Sequence, residues 1–226
     1  MDRVVNSKEL YMYINYYILT NDIKCISIDL WGTLISDNML ELNKMKTNIL
    51  KCKINDIDKR IHFDIRLAKC KNICKCMERD GIVCSGLDKI TYFFAGMLEE
   101  KYCGEILHRI ELIEMSFPIV VNVELLQWLL YWKKRGKKVL IISNTGIISA
   151  TATRYLLLKY GIYYLFDDII LSEEFGVGKP DENIFFHGYK GVKARLKESI
   201  HIGDNLYYDI IPLKKVGIKN GFLINF

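Results

Sequence analysis

Strand-sized apolar runs alternate with helix-sized segments through the second half of this chain, and that alternation leaves few folds open. Asn122 to Arg135 has helical apolar spacing, an Asn at its start and Gly136 at its end, and the strand Lys138 to Ser143 follows at once. The same rhythm continues through Ile148 to Tyr160, Asp168 to Leu171, Asp181 to Leu196, Ser199 to Ile202, Ile210 to Val216 and Gly221 to Asn225. Near-continuous apolar strands joined by crossover helices form a parallel sheet covered on both faces. An earlier strand, Lys24 to Leu30, belongs to the same sheet and follows an aromatic-rich helix, Ser7 to Thr20, capped by Ser7 or Asn6. The aromatic face Tyr11 to Tyr17 is expected to pack on the core or on a partner chain.

Between Asp37 and Pro118 the pattern changes. Met39 to Lys53, Asp56 to Met77 and Leu87 to Cys103 all read as helices, separated by turn residues such as Asp80-Gly81 and Ser85-Gly86. The expected fold class is therefore α/β: a Rossmann-like parallel sheet core, residues 1–36 and 121–226, with an inserted helical segment over 37–120. A length of 226 residues suffices for a core with one sizeable insertion.

Composition narrows the setting. The most apolar runs, Val139 to Ile142 and Ile169 to Leu171, are too short to span a bilayer, and Met1 to Ser7 lacks the layout of a secretory signal. Seven cysteines, an odd number without a small-scaffold pattern, suit a reducing compartment, so a cytoplasmic location is expected. Cys70, Cys74, Cys76 and Cys84 lie close in sequence, but their spacing matches no paired Cys-x-x-Cys zinc site, and free thiols are the expectation. Between Asn43 and Arg79 eleven Lys or Arg face four acids, a net +7. Such a stretch attracts an anionic substrate or nucleic acid, or else forms a solvated helical face.

Ligands in open parallel sheets bind beyond the carboxyl ends of the strands, so the loops after Leu30, Ile142, Leu171 and Ile202 should converge. In order they carry Asp29-Leu30-Trp31-Gly32-Thr33-Leu34, Ser143-Asn144-Thr145-Gly146, Gly178-Lys179-Pro180, and Gly203-Asp204 followed by Asp209. With these motifs in this order and strand context, the chain resembles the haloacid dehalogenase-like (HAD) hydrolase superfamily, over nearly its whole length and in the subgroup with a helical cap.

Each motif has a chemical task. A carboxylate at the end of the first strand, Asp29, can attack phosphorus and divide one difficult displacement into two. Nucleophile and substrate are both anionic, so a divalent cation between them makes their approach tolerable. Asp29 and Asp204 are suitable hard ligands for Mg²⁺, with Asp209 supporting the ion directly or through water. The resemblance implies that the main-chain carbonyl of Trp31 completes the protein's share of the coordination. It also implies that Thr33, Ser143 and Asn144 face the phosphoryl group or orient the nucleophile, and that Lys179 neutralises charge shared by phosphate and Asp29.

The sequence departs from the family's phosphatases two positions after Asp29. A second aspartate usually stands there to protonate the leaving oxygen and later to activate water, and Trp31 can do neither. One reading is a phosphohydrolase whose leaving group is already good, such as an acyl or aryl phosphate, or whose acid comes from Asp37, His62 or a tyrosine of the insertion. A metal-independent 2-haloacid dehalogenase is an alternative, since those enzymes carry an aromatic at this position, although they lack the counterpart of Asp204. A binding protein with the fold but without turnover, and a phosphatase that processes nucleic-acid ends, are the others. In this family an insertion after the first motif is the cap that closes over the loops, which implies a small anionic, phosphorylated substrate. Arg60, Arg66 or His62 are the candidates to touch its distal part.

Overall fold

A computed structural model describes residues 7–37, 39–54, 62–96, 98–99, 101–145 and 148–224. Helix α1 (Ser7–Thr20) leads into strand β1 (Cys25–Ile28). A short strand β2 (Ile35–Asp37) follows, and then helices α2 (Met39–Cys52), α3 (Phe63–Arg79), α4 (Gly86–Phe94) and α5 (Lys101–Ser116). Strand β3 (Ile119–Val121) returns the chain to helix α6 (Val123–Lys134), strand β4 (Lys138–Ser143), helix α7 (Ala150–Lys159) and strand β5 (Asp168–Leu171). The short helix α8 (Ser172–Phe175), helix α9 (Asn183–Gly191), strand β6 (Ser199–Gly203), a π-helical turn (Leu206–Ile210), helix α10 (Leu213–Val216) and strand β7 (Gly221–Leu223) complete the described chain.

Five strands form one parallel sheet in the order β5-β4-β1-β6-β7, as the alternation of apolar runs and helices implies. The central strands β1, β4 and β6 are buried along nearly their whole length, which is why they read as unbroken apolar text. One face is covered by α1, α6 and α7 through Ile14, Ile18, Leu129, Trp132 and Leu156. The other is covered by α9 and α10 through Ile184, Phe185, Leu213 and Val216.

The aromatic N-terminal helix packs on this core. Tyr11 is buried against Trp128, and Asn15 Oδ1 accepts from the indoles of Trp128 at 2.8 Å and Trp132 at 3.0 Å. Asn122 caps α6 as its position suggests, accepting from the Leu125 N–H at 3.0 Å, and Gly136 beyond the helix takes a left-handed φ of 79°.

The insertion differs from expectation in two places. The segment Leu87 to Cys103 is not one helix: α4 ends at Phe94, Gly96 turns left-handed at φ 72°, and a new helix begins at Lys101 and runs on to Ser116. A residue at positive φ cannot continue a right-handed helix, so the periodicity on either side belongs to two separate elements. The stretch expected to start a helix at Asp56 falls in residues 55–61, outside the described residues, and α3 is described from Phe63. The insertion also begins and ends in a ladder absent from the sequence reading, where β2 pairs antiparallel with β3, Ile35 opposite Val121. Three residues a side are too few for a recognisable alternation.

Helices α2 to α5 bury their own apolar cluster around Phe63, Ile90, Phe93, Phe94 and Ile106. They are tied to the sheet by specific polar contacts. Glu173 accepts from the Gly86 N–H at 3.0 Å through one oxygen and from the Ala150 N–H at 2.7 Å through the other. Buried Glu114 accepts from the Ser149 N–H at 3.0 Å and pairs with Lys46. The Gly178 N–H donates to the Gly81 carbonyl at 3.0 Å. Among the described residues no helix is long and apolar enough to cross a membrane.

Candidate active site

Strand β1 ends at Ile28, and the next N–H, that of Asp29, still donates to the Ile202 carbonyl at 2.8 Å. That bond holds Asp29 against β6 at the carboxyl edge of the sheet. The side chain is almost fully buried, and two donors converge on its Oδ1: the Ser143 hydroxyl at 2.9 Å and the Lys179 ammonium at 2.6 Å. Oδ2 takes neither bond, which leaves one oxygen of the carboxylate for reaction. Burial pushes the Asp29 carboxyl above its ordinary range, and the adjacent Lys179 offsets part of that rise.

Lys179 is itself buried and bridges two acids, donating to Asp29 Oδ1 and to Asp209 Oδ1 at 2.5 Å. Burial alone would discharge this amine, but the carboxylates of Asp209 and Asp29 outweigh it and hold its pKa above the usual lysine value. Its main chain is fixed as firmly as its tip. The Asn144 amide donates to the Lys179 carbonyl and accepts from the Lys179 N–H, each at 2.8 Å.

Asp209 is carried by the π-helical turn and folds back under β6. It accepts from the Asn205 N–H at 2.9 Å, and a Cβ added at Gly203 would lie 2.2 Å from its Cγ, so only glycine permits this approach. Burial would raise its pKa, yet Lys179 and His201 more than offset that and hold it well below the ordinary carboxylate range. Beneath it runs a buried relay. His201 Nε2 lies 3.4 Å from Asp209, its Nδ1 lies 2.6 Å from the Ser27 hydroxyl, and that hydroxyl meets the Tyr189 phenol at 2.5 Å. Burial, the largest influence, lowers the His201 pKa, and the Asp209 carboxylate offsets part of that fall.

Asp204 completes the group from the end of β6. One oxygen each from Asp29, Asp204 and Asp209 lies within 4.8 Å of the other two. Unlike its neighbours Asp204 is exposed, and no ammonium or guanidinium of the described residues pairs with it. Partial desolvation, together with the charges of Asp29 and Asp209, pushes its pKa up to about 6. The first loop is shaped around it: Gly32 sits at φ 83°, and a Cβ there would meet Asp204 Oδ2 at 2.5 Å.

The sequence-predicted residues divide accordingly. Asp29, Ser143, Lys179, Asp204 and Asp209 are brought together on one cleft of about 290 Å³, which Trp31 and Asn144 also line. Thr33 is not among the lining residues. It is wholly buried with a partnerless hydroxyl, in a tight turn whose Thr33, Leu34 and Ile35 N–H groups all reach the Leu30 carbonyl. Asn144 bonds the Lys179 main chain through both ends of its amide and also lines the cleft. The Trp31 side chain packs toward the insertion, against the cluster of Leu42, Phe117, Ile148 and Ala152. Gly146 lies outside the described residues, as do Arg60 and the Asp37 side chain.

Four lining residues were not anticipated: Ile148, Asn205 and two with functional side chains, Glu78 and Tyr208. Glu78, at the end of α3, and Tyr208, next to Asp209, both line the cleft, whereas His62 stands exposed at the start of α3 and does not line it. The Arg66 guanidinium donates to the Phe93 carbonyl of α4 and to the Ala95 carbonyl just beyond it, and Arg66 does not line the cleft. Of the cysteine quartet, Cys74 and Cys84 approach to 3.9 Å and Cys76 is exposed. Among the described residues the aspartate trio is the one cluster of His, Cys, Asp or Glu with metal-binding geometry.

A five-stranded parallel sheet in this order, with acids from the ends of β1 and β6 meeting at its carboxyl edge, is a Rossmann-like α/β core. The family profile described as haloacid dehalogenase-like hydrolase matches residues 23–217, and the chain belongs to that family of hydrolases. A glyceraldehyde 3-phosphate phosphatase of Methanocaldococcus jannaschii is 42% identical over 62 residues, covering 27% of this chain and 27% of that protein. The protein of the same name in Pyrococcus furiosus is 33% identical over 91 residues, 40% of this chain and 37% of that one. The chain thus spans only between 26% and 39% of the length of the curated relatives it matches. Two solved structures share the fold at low identity. A HAD phosphatase from Thermococcus onnurineus is 21% identical with a TM-score of 0.58, covering 90% of this chain and 86% of that one. A 2-haloacid dehalogenase from Pseudomonas syringae pv. Tomato DC3000 is 14% identical with a TM-score of 0.65, covering 89% and 86%.

Proposed function

We propose that this chain is a Mg²⁺-dependent phosphatase that acts on a small phosphorylated metabolite through an aspartyl phosphate on Asp29. The observation that carries the reading is the meeting of the three aspartate oxygens within 4.8 Å, with the Lys179 ammonium 2.6 Å from Asp29. Three carboxylates against one ammonium leave about two negative charges to be neutralised, and a hard divalent cation fits both that charge and the all-oxygen donor set. Asp29, Asp204 and the Trp31 carbonyl would hold it, with Asp209 supporting from beneath. When bound, the ion supplies charge neutralisation that lets an anionic substrate approach an anionic nucleophile.

In this reading Asp29 Oδ2 forms a bond to phosphorus while the bond from phosphorus to the leaving oxygen breaks, its electron pair departing with the leaving group. Water then attacks the same phosphorus, the bond to Asp29 breaks, and phosphate and a proton are released. Ser143 and Lys179 orient the nucleophile and hold its other oxygen. Because Trp31 can neither donate nor accept the proton, the preferred substrates are those whose leaving oxygen is weakly basic, acyl or aryl phosphates above alkyl ones. The helices of residues 37–120 act as the cap that covers the cleft. The names of the partial relatives support phosphatase chemistry over the region they match.

The test is a panel of acetyl phosphate, phenyl phosphate, glycerol phosphate and 2-chloropropionate, assayed with Mg²⁺ and with chelator. Phosphate release should vanish with chelator and fall at least about ten-thousandfold in Asp29→Asn. Trp31→Asp should raise alkyl phosphate turnover by about a hundredfold if proton transfer is the missing step. Chloride release indifferent to chelator would replace this reading with the dehalogenase one.

A further inference from the structure

The catalytic cleft does not end at the aspartates. It shares Glu78, Ile148 and Tyr208 with a second, larger cavity of about 540 Å³ that runs up between the helices of the insertion. The deep wall of that cavity is apolar, formed by Leu50 of α2, Leu67 of α3, Ile90 and Phe93 of α4, and Leu107 and Ile110 of α5. These side chains belong to, or pack on, the insertion's own hydrophobic cluster, so the cavity opens from solvent, past the exposed Lys71 and Lys75, onto an apolar wall. Two of the lysines that border it are engaged with acids, Lys46 with Glu114 and Lys89 with Glu78.

We infer that the part of the substrate beyond the phosphoryl group is an extended apolar body, an acyl chain or aromatic group, that enters this cavity while the phosphoryl group meets Asp29. A cavity of this size matches a ligand well beyond a three-carbon sugar, and the larger part of the surface it presents is apolar, with polar groups at its edges such as Asn43, Thr47, Lys71 and Lys75. The inference rests on the phosphatase reading for the position of the phosphoryl end. It also agrees with Trp31: a carboxylate or phenolate leaves without protonation, and both are borne by apolar acyl or aryl bodies. No new step is required, since the bond to the leaving oxygen breaks as before and the apolar group departs as its anion.

The experiment compares acetyl phosphate with octanoyl phosphate, and phenyl phosphate with 1-naphthyl phosphate, pairs matched in leaving-group basicity and different in apolar size. For wild-type protein kcat/KM should rise at least about tenfold from acetyl to octanoyl if the chain is the natural body, or from phenyl to naphthyl if the ring is. Leu67→Trp and Leu107→Trp fill the cavity and should each reduce that ratio at least fivefold. Each ratio is measured on one preparation, so loss of folded protein cancels. Ratios near one in the wild type, or a preference that survives both substitutions, would overturn the apolar subsite. If none of these phosphates is hydrolysed, the phosphatase reading itself fails. The subsite is then decided by calorimetry, where octylphosphonate should bind at least about tenfold tighter than methylphosphonate, and equal affinities would overturn it.

Discussion

The two acids that end the neighbouring strands β1 and β6 are held in opposite ways. Asp29 is buried and anchored by Ser143 and Lys179, and the same ammonium reaches Asp209. Asp204 is exposed, has no cationic partner among the described residues, and is pushed up to about 6 by desolvation and by its acidic neighbours. The buried side is thus directly paired within the protein, while the exposed side sets like charges close together with only through-space relief from Lys179. Proteins tolerate such crowding where a ligand supplies the missing charge. Under the proposed function the difference corresponds to separate tasks, with Lys179 and its partners holding the nucleophile and Asp204 free to meet a cation from solution.

That division can be broken most forcefully at Lys179. Lys179→Met leaves Asp29 and Asp209 buried without their shared cation, and the expected cost is about 3–5 kcal/mol of stability together with loss of turnover. Equilibrium denaturation reads it, and a variant as stable as wild type would show that the ammonium does not support the acids. Asn144→Ala sharpens the same point at one remove. It frees the Lys179 main chain while leaving every charge in place, so kcat should fall by about tenfold to a hundredfold with little change in melting temperature. An unchanged kcat would return Asn144 to a merely local role.

The smallest effect is expected far from the cleft and serves as a control for ordinary ion pairing. Burial would raise the Asp167 pKa, but hydrogen bonds from Lys133, the Val139 N–H and Lys138 lower it below its ordinary value. A depressed folded-state pKa stabilises above the unfolded carboxylate value of about 3.9 and loses that contribution as pH falls through the folded value. Asp167→Asn should therefore melt about 2–4 °C below wild type at neutral pH, and the gap should narrow as pH falls below the unfolded carboxylate value of about 3.9. A gap that persists in acid would mean the loss is one of packing.

The parts of this architecture that were legible in the sequence are those set by local pattern. Apolar strands with helices between them implied the parallel sheet, and the loops after Leu30, Ile142 and Ile202 delivered Asp29, Ser143 and Asp204 to one edge because strand direction alone decides where loops go. What escaped depends on direction at a single residue or on distance in the chain. Thr33 and Ser143 look alike on paper and both are buried, yet only Ser143, at the end of β4, bonds Asp29 and lines the cleft, while the Thr33 hydroxyl finds no partner. Asn144 sits in a binding motif, but its amide matches the geometry of the Lys179 backbone 35 residues away. Glu78 enters the cleft from the insertion, and no spacing rule links it to Asp29. His201 left a trace that sequence reading can use. A histidine inside the otherwise apolar strand Ser199–Gly203 demands polar partners, and it has them in Ser27 and Asp209.

The most direct test of this division of labour is Mg²⁺ binding by isothermal calorimetry to wild-type protein and to Asp204→Asn, with melting temperatures measured on both without the ion. The asparagine variant should lose at least about tenfold in Mg²⁺ affinity while melting no lower than wild type, because removing the charge relieves repulsion and breaks no contact. Unaltered Mg²⁺ affinity in Asp204→Asn, or a large drop in its melting temperature, would contradict the assignment of that carboxylate to an incoming cation.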